Sequence, residues 1–211
     1  MSETFSYDNL IAGSQRDLVS APATVASGQN LTRGALLGRI LRAIGAAAAD
    51  PGNTGEGTIG SEAVGARAKV GTYTLTCNYA PAGPGNATFS VVDPDGLRLA
   101  DAEADVAYAG PIGFEITAYG TPFAVGDIFT VEVEVGSREV VQADLDGLDG
   151  SAEPYAVLAE AVDASLASKL TSVYREGEFA EDHVGYAAGE DADDWREACA
   201  AIGIYLRPTV A

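Results

Sequence analysis

Between residues 66 and 136, apolar and polar positions alternate in short runs. Tyr73, Leu75 and Cys77 fall on one face while Thr72, Thr74 and Thr76 fall on the other. The alternation recurs at Phe89/Val91, Ala102/Ala104/Val106/Tyr108, Ile112/Phe114/Ile116 and Phe129/Val131/Val133/Val135, with Thr, Asp and Glu in between. A period of two marks strands with one buried and one wet face. Turn chemistry at Asp93-Pro94-Asp95-Gly96 and Ala124-Val125-Gly126-Asp127 separates the runs. The pattern predicts a small antiparallel β-sandwich or barrel over 66–136.

The flanks follow different rules. Residues 1–20 hold isolated apolar positions, Phe5, Tyr7, Leu10 and Ile11, among polar ones, which reads as an extended arm. Thr24-Val25-Ala26 reads as a strand end and Ser27 to Asn30 as a turn, while glycines at 28, 34 and 38 around Ala35-Leu36-Leu37 suggest sharply bent ribbon. Residues 45–65 are Gly- and Ala-rich with a break at Asp50-Pro51-Gly52, and 137–151 end in Asp144-Leu-Asp-Gly-Leu-Asp-Gly150. Both segments read as linkers. Tyr155, Leu158, Ala159, Val162 and Leu166 stand at helical spacing. Near the end, Asp191, Asp193 and Asp194 precede Trp195, Ala198, Cys199 and Ile202, with Gly203 following, which predicts a helix over 191–202. Ile204-Tyr205-Leu206 then reads as a last strand.

Charge narrows the functions open to such a chain. The protein has 211 residues, 47% of them hydrophobic, and 31 acids against 12 bases, for a net charge of −19. Nucleic acid and anionic membrane both demand clustered Lys and Arg, so neither is expected as a partner. No apolar run approaches the ~18 residues of a membrane span, and the N-terminus lacks the basic and apolar regions of a secretory signal. The acid is also unevenly placed. Residues 1–50 hold four acids and four bases, whereas 144–211 hold fifteen and four. Desolvating uncompensated charge is costly, so the neutral N-terminal segment is the expected docking side.

Candidate chemistry is sparse. His183 is the sole histidine, which removes His-based metal clusters and most acid–base pairs. A cysteine hydrolase would need Cys77 or Cys199 beside His183, and neither stands in an activated-nucleophile setting. Asp144, Asp146 and Asp149 could in principle chelate calcium, but Leu148 and Tyr155 occupy positions where an EF-hand needs ligands. No catalytic residue, cofactor or metal is expected. Binding or architecture remains.

Two stretches carry a resemblance. Residues 24–40, TVASGQNLTRGALLGRI, and 155–184, with Tyr174-Arg175-Glu176-Gly177-Glu178-Phe179 before the acidic turn Glu181-Asp182, resemble the head decoration proteins of tailed phages, the group of phage lambda decoration protein D. The resemblance implies structural roles for Gly28, Gly34, Gly38, Tyr174, Gly177, Phe179 and Trp195. It also implies a mainly β fold with one short C-terminal helix, in which a bent β-ribbon (β-clip-like) decoration domain is interrupted by the inserted β module. Under it, 155–161 becomes strand rather than helix. The expected organisation is an arm over 1–20, a discontinuous decoration domain over 21–44 plus 152–211, linkers over 45–65 and 137–151, and the insert over 66–136. The implied function is non-enzymatic: a homotrimer, made in the host cytoplasm, at three-fold positions on the outer surface of the expanded capsid. Its partner there would be the major capsid protein, bound through Thr4, Phe5, Tyr7, Leu10 and Ile11 of the arm. An alternative reading has the insert contacting host surface glycans, with Tyr79 or Tyr119 as platform.

Overall fold

The computed structural model describes residues 9–12, 17–65, 67–81 and 87–208. Three strands come first: β1 (Val19–Val25), β2 (Gln29–Leu31) and β3 (Leu36–Arg39). Next are β4 (Arg42–Ala49), β5 (Thr58–Val64), β6 (Gly71–Tyr79), β7 (Thr88–Val92) and β8 (Ala102–Glu103). Then come β9 (Tyr108–Ala109), β10 (Ile112–Thr117), β11 (Ile128–Val135) and β12 (Val140–Gln142). The chain closes with β13 (Pro154–Leu158), β14 (Val162–Ala164), β15 (Lys169–Ala180), a 3₁₀ turn at Glu181–His183, α1 (Ala192–Ala201) and β16 (Ile204–Arg207). The protein is mainly β, with one α-helix among the described residues.

Two compact units form, one from residues 1–40 with 138–211 and the other from 41–137. The chain leaves the first unit and returns to it at neighbouring points, since the Arg138 N–H donates to the Ile40 carbonyl. In the second unit, the Gly136 N–H likewise donates to the Leu41 carbonyl. Closely spaced ends are what an insertion into an existing domain requires.

In the discontinuous unit, β1 pairs with β12, β12 with β3, β3 with β13, β13 with β15, and β15 again with β1. The five strands therefore close on themselves, and β16 extends β15 in parallel. Closure removes sheet edges and makes two apolar environments. Val25, Leu37, Val140, Ala156, Leu158 and Val173, one or two from every strand of the ring, fill one core. Leu36, Val157 and Phe179 point the opposite way, into a second core with Trp195, Cys199, Ile204 and Leu206. Strand β13 is thus buried on both faces, which explains its continuous apolar run. Helical spacing over 155–166 was an accident of that run. The resemblance implied strand over 155–161; β13 does run there but ends at Leu158, residues 159–161 belong to no strand, and β14 follows at Val162–Ala164.

Helix α1 forms as its sequence predicts. Asp191 accepts from the Asp193 N–H and Asp194 accepts from the Asp191 N–H, a reciprocal cap with acids at the positive end of the helix dipole. Trp195 and Cys199 are its buried face, and Gly203 follows with φ of +86°, a conformation glycine adopts without strain. Ile202, expected in the buried stripe, is partly exposed at the C-cap.

The inserted unit is an antiparallel sandwich of a five-stranded sheet, β4-β11-β6-β7-β8, and a three-stranded sheet, β5-β10-β9. Tyr73, Leu75, Cys77, Phe89, Val91, Ile112, Phe114, Ile116, Phe129, Val131 and Val133 share one core, as their alternation predicts. Phe89, Phe123 and Phe129 meet edge to face at its centre.

Three expectations need correction. Residues 45–65 are no linker: β4 and β5 lie there, and their Ala and Gly were misleading because small side chains suit strands packed against a neighbour. Residues 137–151 are no linker either. Strand β12 belongs to the ring, and the Leu145 N–H donates to Glu190, which anchors the acidic loop. The run 102–108 is two short strands, because Asp105 turns the backbone at φ of +60° and leaves Val106 exposed.

Candidate functional site

The root of the arm is bridged to β15 of the first unit's own sheet. Ile11 pairs antiparallel with Phe179, the Ala12 N–H donates to the Glu178 carbonyl and the Ala180 N–H to the Leu10 carbonyl. Leu10 is buried in the core beside Leu36, Phe179 and Trp195. Its side chain therefore serves this chain's own interior, while Ile11 is half-buried. Isolated apolar residues in a polar segment do not say whether their pocket lies in the same chain or in another. Thr4, Phe5 and Tyr7 lie outside the described residues. The far end of the expected arm also differs from expectation, since β1 already begins at Val19.

The motif residues converge on the frame around that core. A Cβ at Gly34 would lie 2.5 Å from the His183 carbonyl oxygen, and one at Gly38 would lie 2.3 Å from that of Ser151. Backbones pass too closely there for any side chain. Gly177, at φ of +153°, donates to the Gly203 carbonyl where β15 turns toward β16. Tyr174 and Phe179 meet with ring centroids 5.8 Å apart. Trp195 donates from Nε1 to Glu190 at 2.8 Å, the same carboxylate that holds the Leu145 N–H. Gly28 stands apart at the turn between β1 and β2, with its N–H on the Ala164 carbonyl.

A charge-poor face accompanies this frame. Strand β1 lies on β15, with Ser20 opposite Tyr174 and Thr24 opposite Leu170, and β2 lies on β14. Residues 18–32 contain no charged side chain, and 161–174 contain only Asp163 and Lys169. At one end Leu166 is 97% and Leu170 74% exposed. Folding brings the neutral N-terminal segment against a second neutral stretch from the acidic half of the chain. Within 144–211 that stretch is hidden among acidic neighbours, fifteen acids against four bases in all.

The candidate nucleophiles are buried. Burial pushes the Cys199 thiol up to about 12 and also raises Cys77, the reverse of the depressed pKa a reactive thiolate needs. His183 is exposed and lies 3.9 Å from Asp182. Asp144 and Asp149 accept bonds from the backbone of Asp146 and Ser151, the ordinary chemistry of tight turns. Among the described residues no three His, Cys, Asp or Glu side chains are grouped to hold a metal ion.

The first unit thus combines a closed ring of strands, an apolar second core, an N-terminal segment bridged to β15 and a charge-poor pair of segments. The family model of bacteriophage lambda head decoration protein D matches residues 2–204, and the chain belongs to that family. That family is structural and non-enzymatic, and its name places it on the phage head. No protein of curated function matches the chain. Among solved structures it is similar to FlgL of Xanthomonas campestris in two crystal forms. One shares 18% identity over 49% of this chain and 33% of that one, with a TM-score of 0.34. The other shares 17% over 53% and 31%, with a TM-score of 0.32. The chain spans about a third of FlgL, and a likeness that slight carries no argument.

Proposed function

We propose that the protein decorates the outer surface of the expanded head as a homotrimer at three-fold positions, bridging subunits of the major capsid protein. The observation that carries this reading is the anchored arm. Residues 10–12 are pinned to β15, so whatever the preceding residues contact is tied directly to the folded ring. Thr4, Phe5 and Tyr7, lying between Glu3 and Asp8, then supply the aromatic contacts of a segment that adds to an edge of the capsid protein. Three arms per trimer on a repeating lattice multiply modest contacts. The net charge of −19 does not oppose this, because packaged DNA lies on the other side of the shell.

Deleting residues 2–8 is expected to abolish co-sedimentation with expanded heads while far-ultraviolet circular dichroism stays unchanged. Undiminished binding of the truncated protein would overturn the arm's role. Replacing residues 41–137 by a short Gly/Ser link is expected to leave binding intact, since unit one closes its own ring without them.

A second reading concerns the insert alone. Tyr79 ends β6 and Tyr119 follows β10, which places both at the pole where β11 begins, with Val125. Their exposures are 57%, 72% and 68%. Solvent-facing tyrosines at one pole suit stacking on sugar rings of a host surface glycan, and a glycan array on full-length protein against Tyr79→Ser with Tyr119→Ser tests this.

A further inference from the structure

Most arginines and lysines of the described residues are spoken for by acids or carbonyls. Lys69 meets Asp93 and Asp95, Arg98 meets Asp101, Arg196 meets Glu181 and Asp193, and Arg207 meets Glu178. Two partly buried arginines of the ring depart from this. Arg39 and Arg175 both stack on the ring of Tyr155, with guanidinium carbons 4.5 and 3.8 Å from its centroid. The two cations are thus no farther apart than the sum of those distances. Each also has a buried Nε–H with no hydrogen-bond acceptor. Like charges at one ring, each with its Nε–H withdrawn from water and, among the described residues, neither in a salt bridge, form an incomplete arrangement in a protein where acids outnumber bases 31 to 12.

The backbone aims these side chains together. Tyr155 is the extra residue where Pro154 pairs with Gly38 and Ala156 with Leu37, a β-bulge in β13. Arg175 is the extra residue where Val19 pairs with Glu176 and Ser20 with Tyr174, a bulge in β15. Bulges bend a strand and redirect one side chain, and two of them here turn Tyr155 and Arg175 onto the same spot beside Arg39 at the end of β3. Tyr155 packs against the ring's interior core, so the cluster rests on a rigid floor. Two planar guanidinium groups stacked on one ring present fork-shaped donors suited to a carboxylate.

We propose that Arg39 and Arg175, held by Tyr155, form a carboxylate-binding site that an Asp or Glu of a neighbouring copy fills in the trimer. This rests on the trimer reading above. A three-fold interface is heterologous, so a basic site on one copy meets a different, acidic surface of the next. The chain supplies such surfaces itself, with fifteen acids in residues 144–211. Copies of net charge −19 repel, and a fixed pairing of this kind selects the register in which they can meet.

The test is sedimentation velocity on the full chain at micromolar concentration, with expanded-head co-sedimentation alongside. Wild type is expected to be trimeric, and Arg39→Gln with Arg175→Gln to weaken trimer association by about tenfold to a hundredfold. Arg39→Lys with Arg175→Lys keeps both charges but loses the stacked forks, and is expected to fall between them. It also carries the test if the Gln variant does not fold. Trimers unaffected by either double substitution overturn the proposal. Intact trimers that no longer bind heads place the carboxylate on the capsid protein and overturn its assignment to a second copy. A monomeric wild type overturns the trimer reading itself, and is seen before any substitution is made.

Discussion

The two units bury their strands differently. In the inserted sandwich β6, β10 and β11 each have one core face and one less buried face, so β6 alternates Tyr73, Leu75 and Cys77 with threonines. In the ring, β3 and β13 have a core on each side, and Leu36 and Leu37, neighbours in sequence, enter separate interiors. A one-core sandwich writes its geometry into the sequence with a period of two. A closed ring wrapped by a second apolar layer writes only a run of small and branched residues, which strand and helix share.

The largest expected effect tests whether the units are energetically separate. Trp195→Ala empties the centre of the ring's second core and Phe89→Ala that of the sandwich, and each is expected to cost roughly 3–5 kcal/mol. Hydrogen exchange read segment by segment should show protection lost in 138–207 for the first and in 71–135 for the second. Loss spread over both units in either variant would break the comparison.

Close backbone approach gives the next effect. Gly38→Ala puts a methyl against the Ser151 backbone and is expected to destabilise the ring by about 1–3 kcal/mol in urea unfolding. Gly60→Ala in β5 meets nothing within 4 Å, and its measured change should stay within about 0.5 kcal/mol. Similar values for the two would mean that the ring relaxes as freely as the sandwich.

The smallest effect is pH-dependent and belongs to the insert. Burial alone would raise the Asp127 carboxyl, but N–H groups of Ala124, Thr54 and Gly55 outweigh it and hold the pKa below the ordinary carboxylate range. A depressed folded-state pKa contributes stability present above the unfolded pKa of about 3.9 and lost as pH falls through the lower folded value. Asp127→Asn is expected to cost roughly 1–2 kcal/mol at pH 7. The gap to wild type should close in acid, and a gap constant from pH 7 to 2 would refute the role of charge.

Legibility followed the same division. Helix α1, its cap and the strand after it were readable because all their signals are local. The sandwich strands 71–79, 88–92, 112–117 and 128–135 were readable from alternation. Strands β4 and β5 were not, since AIGAAAA and TIGSEAV lack large side chains and their burial depends on partners distant in sequence. At the candidate site, the motif glycines were visible as glycines, but their reason, carbonyls of His183 and Ser151 at contact distance, was not. Leu10 was legible as an apolar residue of an arm, and only folding assigns it to this chain's own core.

By itself the sequence determined the balance of charge, the poverty of catalytic groups, the local helix and the one-core sandwich, because each depends on residue type or on spacing within a few positions. Tertiary structure alone decided the ring closure of β1 on β15, the neutral face made from two distant segments, and the meeting of Arg39, Tyr155 and Arg175. Those depend on pairings across more than a hundred residues and on bulges that redirect single side chains, and neither leaves a periodic trace in the chain.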